Sequence, residues 1–193
     1  MATASPVIKY DLNRDVHTVQ EMASRLDPFV YDSEMYGFMP DGLPKLTIGS
    51  LLMRLHRLLL LGNLLSGEQR KLLDMARQQL DKVKHEWLTA YTNKTLLELT
   101  LRTNETNQFL KECGEDRDKC REMYPAVAEK HVMAQILANE ARELNVLTVE
   151  TENRLRKIDS QLQHTFKPGS FIWDLRLQPA YPQDENGFLY VSI

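Results

Sequence analysis

KLLDMARQQLDKVKHEWLTAYTNKTLLELTL, residues 71–101, decides the fold class. Leu73, Ala76, Leu80, Val83, Trp87, Ala90, Leu97 and Leu101 recur at alternating steps of three and four. That spacing lines them up along one side of an α-helix, as a coiled-coil-like seam that packs against a second helix. Lys94, Asn104 and Gln108 fall in the same phase and soften the seam. Between Gly67 and Glu112 there is no proline and no further glycine. A single helix over this stretch would reach ~69 Å at 1.5 Å per residue. The polar seam positions predict an exposed far end, or a break around Thr103 to Thr106.

A second series of the same period follows: Val127, Lys130, Ala134, Leu137, Ala141, Leu144, Thr148, Thr151, Leu155, Ile158 and Leu162. It predicts a helix from Pro125, placed in the first turn where its missing N–H costs nothing, to about His164. The β-branched run Val146 to Val149 is expected to loosen or bend it. Two long helices joined by a short turn lie antiparallel. The turn is set by Gly114 and the alternating charges of residues 114–122. Ala134, Ala138 and Ala141 allow close backbone approach.

Ahead of the first series, Ser66-Gly67-Glu68-Gln69 has the form of a capping box. Thr47 is positioned to cap a helix from Ile48 to about Leu65, weakened near Gly62-Asn63. This is the most apolar stretch of the chain. Arg54, His56 and Arg57 near its centre argue against a membrane span, since each cation costs ~2.5–3.5 kcal/mol at mid-bilayer. A buried core helix is the expectation. Further upstream, Asn13 is the predicted cap of a helix from Arg14 to about Leu26, with Val16, Val19 and Met22 inside, ended by Asp27-Pro28. Val7, Ile8 and Tyr10 have the character of a short sheet strand.

Residues 27–46 mix aromatics with Gly and Pro. A connection this long is uncommon inside a compact domain, and is often functional when it occurs. The plainest reading is a strap that packs Phe29, Tyr31, Tyr36 and Phe38 over the end of the bundle. After Lys167-Pro168-Gly169, the alternation of Phe171, Trp173, Leu175 and Leu177 predicts a half-buried strand. Asp184-Glu185-Asn186-Gly187 marks a turn and Phe188 to Ile193 a return strand. An isolated hairpin is marginal in water, so this tail is expected to pack on the bundle or on a partner.

The expected fold is therefore all-α, a bundle of three or four helices dominated by a long antiparallel helical hairpin, over residues 1–167. Residues 168–193 form a small extended or β-hairpin appendage. A chain of 193 residues buries roughly 70% of its unfolded surface and needs no metal to fold. Two cysteines, Cys113 and Cys120, without a basic and apolar leader over Met1 to Tyr10, predict a reducing, cytoplasmic setting and free thiols; a helix break at Gly114 would leave a bridge between them geometrically open. Asn93-Lys94-Thr95 and Asn104-Glu105-Thr106 read as chance sequon matches.

No catalytic constellation is legible, and no cofactor or metal is expected. The five histidines lack the helical spacings of di-iron and zinc sites. His56 reads as a core or boundary residue. The net charge of −3 argues against nucleic acid, whose binders carry a basic excess. Basic residues such as Lys71, Lys82 and Arg154 are interleaved with acids, the pattern of a solvated face.

Aromatics and prolines gather in two places, and aromatics dominate interface hot spots. Tyr31, Tyr36 and Phe38 in the strap, with Trp173, Tyr181, Phe188 and Tyr190 in the tail, are the candidate partner-binding residues. The expected function is that of a non-enzymatic accessory subunit, adaptor or scaffold, acting on a protein partner or by self-association. Two alternatives stand beside it. One is a helical subunit of a nucleoprotein complex. The other is a ligand-binding protein or enzyme with a pocket under the 27–46 loop, using Tyr31, Asp32, Tyr36, Asp41 or His56.

Overall fold

The computed structural model describes residues 9–193, so Val7 and Ile8 lie outside it. The molecule is an all-α bundle with a β-hairpin appendage. Among the described residues there are seven α-helices: α1 Leu12–Ser24, α2 Leu26–Tyr31, α3 Ile48–Leu60, α4 Gly67–Glu86, α5 Leu88–Glu112, α6 Arg117–Glu143 and α7 Val149–Gln163. Two strands, β1 Lys167–Phe171 and β2 Tyr190–Ser192, pair antiparallel. No described helix is long and apolar enough to cross a membrane.

The expected caps form at two starts. Thr47 Oγ1 accepts the Ser50 N–H at the head of α3, at 3.0 Å. Ser66 and Gln69 make the reciprocal capping box of α4. At α1 the cap is Asp11, two residues before Asn13, and its carboxylate accepts the Arg14 N–H. Asn13 instead accepts a bond from Gln69 and ties α1 to α4. Asp27-Pro28 does not end the helical run. Pro28 sits in the first turn of α2, where backbone N–H groups have no helical partner to lose.

Both long helices are divided. The first breaks at Trp87 (φ −122°, ψ 36°), not at Thr103 to Thr106. The division follows the packing: α4 lies along α1, whereas α5 lies along α6. Beyond the break the buried stripe slips by one residue from the expected seam. It runs Tyr91, Thr95, Glu98, Arg102, Thr106 and Phe109, while Leu97 is exposed. Most of this polar stripe finds partners, with Glu98 and Arg102 paired to each other, although the buried Tyr91 hydroxyl makes no hydrogen bond among the described residues. The hydroxyls of Thr95, Thr103 and Thr106 all bond carbonyls one turn back in their own helix.

The second long helix starts at Arg117 under an Asp116 cap, so Pro125 lies inside α6 rather than at its head. The carbonyl that loses a bond there belongs to Arg121, which is exposed to solvent. α6 ends at Asn145, whose left-handed φ of 58° lets Val146 N–H bond the Ala141 carbonyl, a Schellman-type stop. The chain then turns and α7 folds back. Its buried residues, Leu155, Ile158 and Leu162, are the ones the 3-4 series named. In the α5–α6 turn, Cys113 and Cys120 are not free thiols. They form a disulfide, with Cα atoms 4.9 Å apart. The helix break after Cys113 brings together residues that a continuous helix would hold ~10.5 Å apart.

The tail departs from the alternating pattern. β1 comes earlier than expected, and Leu175–Ala180 is a 3-10 turn rather than strand. The hairpin needs Gly169, because a Cβ there would lie 2.5 Å from the Ser192 nitrogen.

α3 is the central helix, packed by α1, α5, α6 and the 3-10 turn of the tail. A buried charge is matched at each end. At its head, Glu98 of α5 accepts the Gly49 N–H at 2.8 Å, a carboxylate at the positive end of the helix dipole. A Cβ at Gly49 would meet Glu98 Oε1 at 2.8 Å, so the glycine permits the approach. Near its tail, Arg57 and Arg54 bind the Asp15 carboxylate of α1. Arg57 Nε donates at 2.6 Å with a second bond through Nη2, and Arg54 Nη1 donates at 2.5 Å.

Burial would push the Asp15 carboxyl up, but the bonds and charge of Arg57, aided by Arg54, hold it below its ordinary value of 3.8. A folded-state pKa below the unfolded one contributes stability that is full above pH 3.8 and lost as pH falls through the folded value. Asp15→Asn is therefore expected to cost ~3–5 kcal/mol at pH 7, as for any broken buried ion cluster. Urea denaturation at pH 7 and at pH 3 will show the gap between variant and wild type narrowing in acid. An unchanged gap contradicts the assignment.

Candidate functional site

Residues 32–47 run as a strap beside α5, held from the inside. Lys94 is buried and its ammonium donates to the carbonyls of Asp32 and Glu34, both at 2.7 Å. The same nitrogen stands 4.2 Å from the centre of the Phe29 ring. Burial draws the Lys94 pKa down, against the opposing pull of Asp32 and Glu34. The strap also closes on itself through paired bonds between Gly37 and Leu46. A Cβ at Gly37 would sit 2.8 Å from Phe29, so the glycine lets strap and ring touch.

Of the four aromatics expected to pack inward, only Phe29 does so. Tyr31 is 73% exposed and Phe38 80% exposed, with Tyr36 also outside. The reason is geometric. Lys94 and Leu46 lie against the inner side of the strap, so Tyr36 and Phe38 are turned to solvent, while Tyr31 ends α2 on its outer face. Tyr31 meets Trp87 edge-on, with ring centres 5.1 Å apart. Trp87 donates its indole N–H to Asp27 at 2.7 Å, and Leu88 beside it is exposed. Tyr31 and Trp87 thus form an exposed aromatic pair at the α4–α5 break, while Tyr36 and Phe38 are exposed farther along the strap, Tyr36 beside Lys45. Trp87 belongs to the pair although the 3-4 series placed that residue in the seam. The only hint in the sequence is that a bulky aromatic at a helix break has two directions to choose from.

The tail aromatics lie elsewhere. Tyr181, Phe188 and Tyr190 are buried in the chain's own core and Trp173 is half-buried. Tyr190 donates its hydroxyl proton to the Tyr181 carbonyl. Phe188 packs edge-on against the buried His131 ring. Trp173 Nε1 donates to the Pro125 carbonyl at 3.2 Å. Burial is the main reason the Tyr181 hydroxyl is pushed up to about 12.

The polar residues proposed for a pocket under the loop lie apart from His56. Tyr31, Asp32, Tyr36 and Asp41 line neither the α6–α7 cleft nor the small cavity beside the disulfide. His56 does line the first of these, between α6, α7 and the 185–186 turn, and it is exposed there rather than a core residue. The walls of that cleft lower its pKa, partly offset by Glu185. Among the described residues no group of His, Cys, Asp and Glu is arranged to hold a metal.

Comparison with protein-family models, with curated proteins and with solved structures gives no match. The two aromatic clusters are separable on the molecule itself. Phe188→Ala is expected to destabilise the protein by ~3–5 kcal/mol, the cost of emptying a core ring site. Phe38→Ala, at an exposed position, is expected to change stability by under ~0.5 kcal/mol. Chemical denaturation of the two variants checks both, and equal losses would contradict the placement.

Proposed function

We propose that this chain is a non-enzymatic adaptor or accessory subunit that binds another protein through the strap surface of Tyr31, Tyr36, Phe38 and Trp87. The observation that carries this reading is an exposed aromatic surface on an anchored backbone. Large aromatic side chains left in water are available to bury area against a partner. The carbonyl latch of Lys94 and the Gly37–Leu46 pairing hold the strap in place. Little ordering entropy is then left to oppose binding. Self-association through the same surface is an outcome of the test below.

The nucleoprotein reading has less support. Many basic side chains are already matched, as in Lys84 with Glu140, Lys130 with Glu105, and Arg142 and Arg156 with Glu152. With a net charge of −3, this weakens the case for the basic excess that phosphate binding requires. A cytoplasmic setting, expected from the first ten residues, stands against the Cys113–Cys120 bond, since such bonds persist in oxidising surroundings.

The test is a pull-down from the native host with wild type and Tyr31→Ser/Phe38→Ser, read beside sedimentation of the purified chain. Wild type is expected to retain a defined partner, or to self-associate. The double variant is expected to weaken that complex by at least about tenfold, the size of one hot-spot loss, with an unchanged thermal midpoint. A complex indifferent to both substitutions overturns the proposal, as does a wild-type monomer that captures nothing.

A further inference from the structure

The cleft that takes His56 into its wall has a volume of 320 Å³, at the small end of ligand sites. It lies along the groove between α6 and α7. Its floor is apolar, made by Val132, Ile136 and Leu155. Its two ends are charged with opposite sign.

The helices are antiparallel about the Asn145 turn, so Arg142 meets Glu152 at 3.0 Å and Gln135 meets Asp159 at 3.1 Å. Seven residues separate the members of each helix, so the two ends lie about 10.5 Å apart. At the turn end, Arg142 and Arg156 both bond one oxygen of Glu152. Two guanidinium groups on one carboxylate leave an excess positive charge. The arginine side chains are 53% and 70% exposed, so several of their donors face outward, free for a second anion.

At the other end stand two carboxylates. Asp159 accepts from Gln135 and faces His131 Nε2. Glu185 comes from the tail, whose Gly187 abuts Gln163 one turn beyond Asp159. No lysine or arginine is among the residues lining this end. A groove with cations at one end, acids at the other and an apolar floor between matches a molecule built the same way.

We propose that the α6–α7 cleft binds a small linear zwitterion, its carboxylate on Arg142 and Arg156 and its ammonium between Asp159 and Glu185. An ω-amino acid of about eight carbons spans that distance, and so does an extended tripeptide with free termini, at 3.3–3.6 Å per residue, roughly 10 Å in all. The shared chemistry is the pair of terminal charges held apart across an apolar stretch. This site is separate from the strap surface, and either can fail without the other.

The test titrates the full chain with 8-aminooctanoate and with trialanine, read by calorimetry and by amide chemical shifts. At least one of the two is expected to bind, shifting resonances of Gln135, Arg142 and Asp159. Tighter binding of trialanine assigns a peptide, and the reverse assigns an ω-amino acid. Octanoate, octylamine and 4-aminobutyrate each lack one charge or the span, and each is expected to bind at least about tenfold more weakly. Arg142→Gln/Arg156→Gln is expected to weaken the zwitterion by a similar factor of about ten. Glu185→Gln, in the exposed tail turn, is expected to weaken it less and to leave octanoate unaffected. The proposal is overturned if neither probe shifts those resonances at about 10 mM, a level that would reveal even a millimolar site. It is also overturned if octanoate binds as well as 8-aminooctanoate, or if the folded arginine variant binds like wild type.

Discussion

Arg57 is a permanent cation near the end of the most apolar helix of the chain, and only 8% of it reaches solvent. A buried guanidinium without a counter-charge is not tolerated, so α3 can sit at the centre only if a carboxylate comes to it. Asp15 of α1 is that carboxylate. It takes two bonds from Arg57 and one from Arg54, and a fourth from the Tyr10 hydroxyl. The requirement fixes where α1 lies along α3. Such a cluster adds little net stability compared with an apolar packing of the same volume, but breaking it is costly. Its effect here is to select one arrangement of the helices.

The consequences extend to both ends of the chain. Tyr10, bonded to Asp15 through its hydroxyl, donates its backbone N–H to Asp174 at 2.7 Å. Asp174 is in turn paired with Arg176, whose bonds hold its carboxyl well below the usual range. The start of α1 and the tail's 3-10 turn are thereby joined across the face of α3. With the tail fixed, Tyr181, Phe188 and Tyr190 are drawn into the core, and the aromatic surface left to solvent is that of the strap. The strap owes its position to a second buried cation, Lys94, which the carbonyls of Asp32 and Glu34 receive. In both places the chain buries a charge and lets the partner of that charge set the path of a neighbouring segment.

Much of the fold was legible because hydrophobic period and capping chemistry are local. The caps at Thr47 and Ser66, the α6 and α7 stripes and the strand character of the tail all follow from nearby residues. What was hidden depends on partners far away in sequence. The slip of the α5 stripe hides Glu98 and Arg102, polar residues that no periodicity would bury until Gly49 is known to lie opposite. The breaks at Trp87 and Asn145 follow from each half packing on a different neighbour. Composition marked Tyr31, Tyr36 and Phe38 as candidates, but their exposure was hidden, because it depends on Lys94 of α5 reaching the strap carbonyls from beneath. The burial of Tyr181, Phe188 and Tyr190 depends on how the tail closes over α6 and α7. Arg54 and Arg57 held the most information. As cations in a core helix they demand a carboxylate, but nothing local says that Asp15 supplies it.

The central claim is that the charge of Arg57 positions α1 and, through Tyr10 and Asp174, the tail. Amide hydrogen exchange on Arg57→Met, which keeps an unbranched apolar stem and removes the charged guanidinium, tests it most directly. The account predicts that protection falls in α1 and in residues 172–181 while the α5–α6 pair keeps its wild-type protection. Loss of protection confined to α3, or spread evenly over all helices, would contradict it.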